Sequence, residues 1–191
     1  LDKYMGDGIM AFFGAPVAQS DHAPRAAAAA LAMRAALDDL NRGWLARGLP
    51  EIRCGIGLNT GPMAVGNIGS SMIFDYTVIG DNVNLGSRIE GLTRIYGVDV
   101  IVSAATAELL PESIVMRQLD AVRVKGRREP VQIFELTPVG ELTPGFLASY
   151  AEGLRLYRAR VFAAARAEFE AARAVRPADV PCELFIKRCL A

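Results

Sequence analysis

Val78-Ile-Gly-Asp81-Asn-Val-Asn84-Leu-Gly-Ser-Arg88-Ile-Glu90 reads as a turn entering a helix. Gly80 and Asp81 supply the turn and the cap, and Val83, Leu85, Ile89, Leu92 and Tyr96 recur at helical spacing. Asn84 and Arg88 therefore stand one turn apart on a shared face. That face lies about one residue step around from the Leu85, Ile89, Leu92, Tyr96 stripe, so a polar pair sits at the edge of a buried seam. A second stretch, Lys3-Tyr-Met-Gly-Asp7, adds a carboxylate and a lysine, and Lys125 adds a further cation. These groups can be set around one triphosphate, a set that a merely structural domain has little reason to hold.

Outward from the helix, strand and helix patterns alternate. Residues 1–14 predict two strands joined at Gly6-Asp7-Gly8, because Asp-Gly between apolar residues is a strong hairpin signal. Asp7 falls at the tip. Asp21 is positioned to cap a helix running to about Arg47, with Met33, Leu37, Leu40 and Trp44 as its apolar stripe. In Glu51–Leu58, Ile52, Cys54, Ile56 and Leu58 alternate with Arg53, Gly55 and Gly57, which predicts a half-buried strand. A second apolar segment, Met63–Ile68, follows, and Phe74–Ile79 is the approach to the central helix. Val98–Val102 is β-branched and strand-like, Ser103 caps a further helix, and Met116–Val124 and Val131–Leu136 complete the strands. The pattern predicts a sandwich with the helices on one side of a sheet.

Composition excludes several classes. Basic and acidic residues number 21 each, so no global field steers the chain to nucleic acid or to an anionic membrane. No apolar run approaches the ~20 residues of a membrane span. Cys54, Cys182 and Cys189 match neither a zinc spacing nor a disulfide framework, which points to reduced packing thiols and a cytoplasmic location. From Thr143 the sequence shifts to Ala, Arg and Glu, and Gly153, Phe162, Ala165, Phe169, Ala172 and Pro177 follow the spacing of one tetratricopeptide repeat. Two units are therefore expected, 1–140 and a helical tail, 141–191. A single repeat cannot stand alone, so the tail either packs on the first unit or begins a longer array, and it offers a surface for a protein partner.

Four segments in order carry a resemblance: Lys3-Tyr-Met-Gly-Asp-Gly-Ile-Met-Ala-Phe-Phe-Gly14, Gly55-Ile-Gly-Leu-Asn-Thr-Gly61, Tyr76 to Arg88, and Val124-Lys-Gly126. Over about residues 1–138 the chain resembles the catalytic domain of the class III adenylate and guanylate cyclases, with bacterial adenylate cyclases nearest. The resemblance implies an α+β fold, a ferredoxin-like βαβ sandwich, here followed by a C-terminal α-helical hairpin. It implies conversion of ATP to 3′,5′-cyclic AMP and pyrophosphate at sites shared across a head-to-tail homodimer, with two Mg²⁺ or Mn²⁺ ions per site.

Residue by residue, the resemblance makes Asp7 a metal ligand, Lys3 and Thr77 the purine-reading pair, and Asn84 and Arg88 the ribose and α-phosphate contacts. Lys125, or equally Arg127, meets the terminal phosphates. Lysine with threonine resembles the bacterial adenine-reading variant, since a hydroxyl can exchange a hydrogen bond with the 6-amino edge. Residues alone leave blander readings open: a turn aspartate at Asp7, a strand lysine at Lys3, a strand threonine at Thr77, and an Arg88 paired with Glu90 or Asp81. Met72 stands where many relatives carry arginine. The family's other metal aspartate lies on a strand that would precede Leu1, so this span by itself is expected to be inactive. A catalytically silent nucleotide- or partner-binding domain is the alternative. His22 has no catalytic partner in the sequence, and the glycines of 55–61 are misplaced for a dinucleotide loop.

Overall fold

A computed structural model describes residues 1–69, 74–124 and 129–190. In chain order the elements are β1 (Lys3–Met5), β2 (Gly8–Met10), α1 (His22–Leu45), β3 (Ile56–Leu58), β4 (Ala64–Gly69), β5 (Phe74–Ile79), α2 (Asp81–Tyr96), β6 (Val100–Ser103), α3 (Ala104–Ala107), β7 (Met116–Val122), β8 (Val131–Leu136), α4 (Pro144–Arg158), α5 (Phe162–Val175) and α6 (Val180–Leu190). Strands β3-β6-β8-β7 form the main sheet, in which only the β3–β6 pair is parallel. β1–β2 and β4–β5 are separate antiparallel hairpin ladders.

All four residues of β6 are buried, which requires cover on both faces of the sheet. Ile101, Leu119 and Ile133 pack under Leu85, Ile89 and Tyr96 of α2. Val100, Val102 and Leu136 point the other way, onto Ala27 and Ala30 of α1. The expectation of helices on one side is thus corrected: α1 and α2 sandwich the sheet. The expected stripe of α1 is met in part, since Leu37 and Trp44 are half-buried on the face that the helix uses. Small alanines at 23, 27 and 30 let it lie close to the strands, whereas Met33 and Leu40 remain 45% and 44% exposed along an open groove.

Two local expectations fail for identifiable reasons. Asp21 occupies the cap position of α1 without making a cap hydrogen bond, because its carboxylate accepts from Arg25 Nε at 2.8 Å instead. Residues 51–55 do not join the sheet: the Asn41 side chain donates to the Ile52 carbonyl at 2.8 Å and accepts from its N–H at 2.9 Å. A helix amide thereby takes both backbone groups that a neighbouring strand would have used.

The tail consists of three helices, so α6 is added to the expected hairpin. Gly153 permits the close approach of α4 to α5, since a Cβ there would come within 2.9 Å of the Phe169 ring. Phe146, Tyr150, Phe169 and Phe185 fill the space between the helices. Of the two arrangements expected for the tail, it packs on the sheet. The Tyr150 hydroxyl donates to the Leu119 carbonyl at 3.3 Å, and Arg117 of β7 donates to both carboxylate oxygens of Asp179 at 3.0 and 2.7 Å. Asp179 also accepts from the Cys182 N–H at 2.9 Å, so one buried carboxylate caps the start of α6 and ties it to β7.

Candidate active site

The position of α2 is set by glycines. A Cβ on Gly57 would fall 2.6 Å from the Gly86 carbonyl oxygen and 2.8 Å from Glu90 Cα, and one on Gly55 would fall 3.1 Å from Thr93 Cβ. Gly61 is in similar contact with Asn82, whose side-chain amide donates to the Pro62 carbonyl at 2.9 Å. Gly57 therefore seats the α2 backbone directly on β3, while Gly55 and Gly61 leave room for the Thr93 and Asn82 side chains of the same helix. Gly80, at φ +144°, caps the helix, and the Val83 N–H donates to its carbonyl at 3.1 Å. Asp81 follows in the first turn, where a carboxylate complements the helix dipole.

Held this way, α2 buries Leu85, Ile89, Thr93 and Tyr96 and exposes Asn84 and Arg88 on an adjoining face. Among the described residues neither side chain makes a hydrogen bond or ion pair, so Arg88 is not tied to Glu90 or Asp81. An exposed guanidinium with five free donors and an amide one turn before it can both turn to an external anion or hydroxyl.

The two hairpins meet at a second polar group. Thr77 of β5, only 7% exposed, donates its hydroxyl proton to the Asp2 carboxylate at 2.7 Å. Lys3 Nζ lies 3.9 Å from Asp2 and 3.8 Å from Asp75, ion-pair distances too long for hydrogen bonds, so its donors stay available. Lys3 and Thr77, which stand on different hairpins, thus share one carboxylate. Asp2 was not anticipated. Its only sequence signal is an acidic residue leading into a short strand beside a lysine, and the hydroxyl that it meets is remote in the chain. Its side chain is 2% exposed, which sets it apart from the 76% exposed Asp75.

Asp7 sits at the tip of the β1–β2 hairpin behind Gly6, whose φ of +62° forms the turn, and its carboxylate is exposed. No hydrogen bond or ion pair among the described residues links Asp7 to Lys3, Thr77, Asn84 or Arg88. Nor do three or more His, Cys, Asp or Glu side chains converge there or elsewhere among the described residues. One exposed carboxylate fits a hard divalent ion that takes most of its ligands from phosphate and water, but forms no cage of its own. Lys125, Arg127 and Met72 lie outside the described residues. Across β4 and β5, Val65, Phe74, Tyr76 and Ile79 are 39–58% exposed, and Tyr4 and Ile9 of the first hairpin are 71% and 53% exposed.

Residues 3–137 match the adenylate and guanylate cyclase catalytic domain. Adenylate cyclase 1 of Rhizobium meliloti is 36% identical over 137 residues, 72% of this chain and 21% of that protein. The adenylate cyclase of Anabaena cylindrica is 40% identical over 143 residues, 71% of this chain and 28% of that protein. The chain thus spans about a quarter of the length of these relatives. Among solved structures, the adenylyl cyclase CyaB of P. aeruginosa superposes with a TM-score of 0.66 at 34% identity, covering 73% of this chain and 72% of that one. The guanylyl cyclase Cya2 superposes with a TM-score of 0.63 at 38% identity, covering 75% and 72%. With the fold, the glycine-seated helix and the family match in agreement over the same residues, the chain belongs to the adenylate and guanylate cyclase catalytic-domain family.

Proposed function

We propose that this domain is an adenylate cyclase, forming 3′,5′-cyclic AMP and pyrophosphate from ATP at sites shared by two copies of the chain. The observation that carries the adenine choice is the meeting of Lys3 and Thr77 at the hairpin junction, a cation and a hydroxyl held at one place from different strands. In the reaction the ribose 3′ hydroxyl gives up its proton to solvent as its oxygen bonds to the α-phosphorus, and the bond from the α-phosphorus to the in-line bridging oxygen breaks as pyrophosphate leaves. Arg88 donates to the charge that accumulates on the α-phosphate, a contact whose removal costs ~10² or more in rate. Asn84, one turn earlier, orients the ribose. Lys125 is assigned to the terminal phosphates.

Asp7 would hold Mg²⁺ or Mn²⁺, which would supply Lewis-acid activation of the 3′ hydroxyl. The site is divided between subunits in this reading, with Asp7, exposed at its hairpin tip, from one and Lys3, Thr77, Asn84 and Arg88 from the other. The exposed apolar side chains of the two hairpins support a partner on that side, since covering apolar surface is favourable. The test is kcat/KM for ATP and GTP in the full-length protein. A clear preference for ATP is expected, and equal values overturn the adenylate reading.

A further inference from the structure

We propose that Asp2 is a specificity-determining positioning residue that fixes the hydrogen-bond polarity of Thr77. This inference rests on the adenylate reading above and supplies its physical basis. A hydroxyl has one proton to give and two lone pairs to offer, and it rotates to suit whatever ligand arrives. Left free, threonine cannot tell the 6-amino group of adenine, a donor, from the 6-oxo group of guanine, an acceptor. In this structure it is not free. Its proton points to the Asp2 carboxylate at 2.7 Å, and a carboxylate has only acceptors.

With the proton committed, Thr77 can present nothing but lone pairs to a nucleobase. Lys3, placed beside the same carboxylate, presents nothing but donors. One donor next to one acceptor complements the edge of adenine, where N1 accepts and the 6-amino group donates. The guanine edge carries the reverse pattern, N1–H beside a carbonyl, and leaves both contacts mismatched. Site groups left unpaired by the wrong ligand are the strongest source of discrimination.

Three features make the lock firm. The Asp2 side chain is 2% exposed, so water does not compete for the Thr77 proton. Its backbone N–H donates to the Met10 carbonyl at 2.9 Å, which holds residue 2 against β2. Thr77 is itself paired opposite Gly66 in the β4–β5 ladder, which limits how far its side chain can move. Asp2, enclosed in this way, acts on the base through the Thr77 hydroxyl that it orients, with Lys3 at the looser distance of 3.9 Å from the same carboxylate.

The experiment compares kcat/KM for ATP, GTP and purine riboside triphosphate, which lacks the 6-amino group, in the full-length protein carrying Asp2→Asn, Asp2→Leu, Thr77→Val or both Asp2→Leu and Thr77→Val. The unsubstituted protein is expected to favour ATP over both competitors. Asp2→Leu frees the hydroxyl and should lower the ATP:GTP ratio roughly tenfold, as Thr77→Val does, while the double variant falls no further than Thr77→Val alone. Asp2→Asn, which can donate its amide to Thr77, should lower the ratio in the same direction. Equilibrium binding of 3′-deoxy-ATP and 3′-deoxy-GTP, with thermal unfolding of each variant, reads the same ratio without turnover. A fall in kcat/KM for all three nucleotides by one common factor, with the ratios intact, makes Asp2 merely structural and overturns the inference while leaving the adenylate reading standing. Additive losses in the double variant overturn it too. Equal use of ATP and GTP by the unsubstituted protein overturns both.

Discussion

Gly57→Ala should uncouple the position of α2 from its composition. The new methyl carbon would meet the Gly86 carbonyl oxygen at 2.6 Å and Glu90 Cα at 2.8 Å, both of them backbone atoms that no rotamer change can move aside. Restoring contacts of at least 3.4 Å requires the helix to retreat from β3 by roughly 1 Å. Overpacking of this kind costs about 1–3 kcal/mol. The same retreat carries Asn84 and Arg88, which flank the contact on α2, away from the substrate positions proposed for them, and a displacement of about 1 Å can cost ~10² in rate. Urea unfolding and kcat/KM should therefore both fall, although no side chain of the site has been altered. Gly91→Ala supplies the internal control: it lies in the same helix with nothing within 4 Å of its Cβ, and there the methyl should stabilise by about 0.5–1 kcal/mol without loss of turnover. If Gly57→Ala keeps the stability and kcat/KM of the unsubstituted protein, α2 does not rest on β3 through this glycine and the argument for its placement fails.

Asp7→Ala and Arg88→Ala should each be nearly inactive, yet mixtures of the two should regain cyclase activity as heterodimers form. Heterodimers that are demonstrably present but inactive refute shared sites. Tyr4→Glu with Phe74→Glu, both at exposed apolar positions, should shift the protein towards monomer in sedimentation velocity and lower activity in step; an unchanged dimer would move the interface elsewhere. Asp179→Asn should cost about 1.5–3 kcal/mol near neutral pH by weakening two charge-assisted hydrogen bonds from Arg117, which keeps Glu135 as its remaining buried carboxylate. Burial raises the Asp179 carboxyl, but two hydrogen bonds from Arg117 outweigh this and hold its pKa below the usual range. Its contribution is then present above about pH 4 and lost as pH falls through the lowered value. The Tm gap between the two proteins should accordingly narrow in acid, and a gap independent of pH contradicts the assignment.

The α2 helix was legible because its determinants are local. The glycine before Asp81, the spacing of Leu85, Ile89 and Tyr96, and the αL glycine at 97 act within a few residues of one another, and the helix runs over Asp81–Tyr96 as its periodicity predicts. The same holds for the turn that puts Asp7 at a hairpin tip and for the Ser103 cap, which accepts from the Thr106 N–H at 3.3 Å. Residue types at fixed spacing also defined the family, with Asn84 and Arg88 already one turn apart. What the chain could not declare was which long-range partner each group would choose. Periodicity favoured Met33 and Leu40, but close packing selected the alanines of α1, because only small side chains let a helix approach a sheet already filled by valines. Alternation in residues 51–55 suggested a strand, until the Asn41 amide took the Ile52 backbone groups. Thr77 and Asp2 are unremarkable where they stand in the sequence. Only folding, which removes water from between two hairpins, turns a threonine and an aspartate into a hydroxyl with its proton committed, because a buried carboxylate must find its hydrogen bond within the protein.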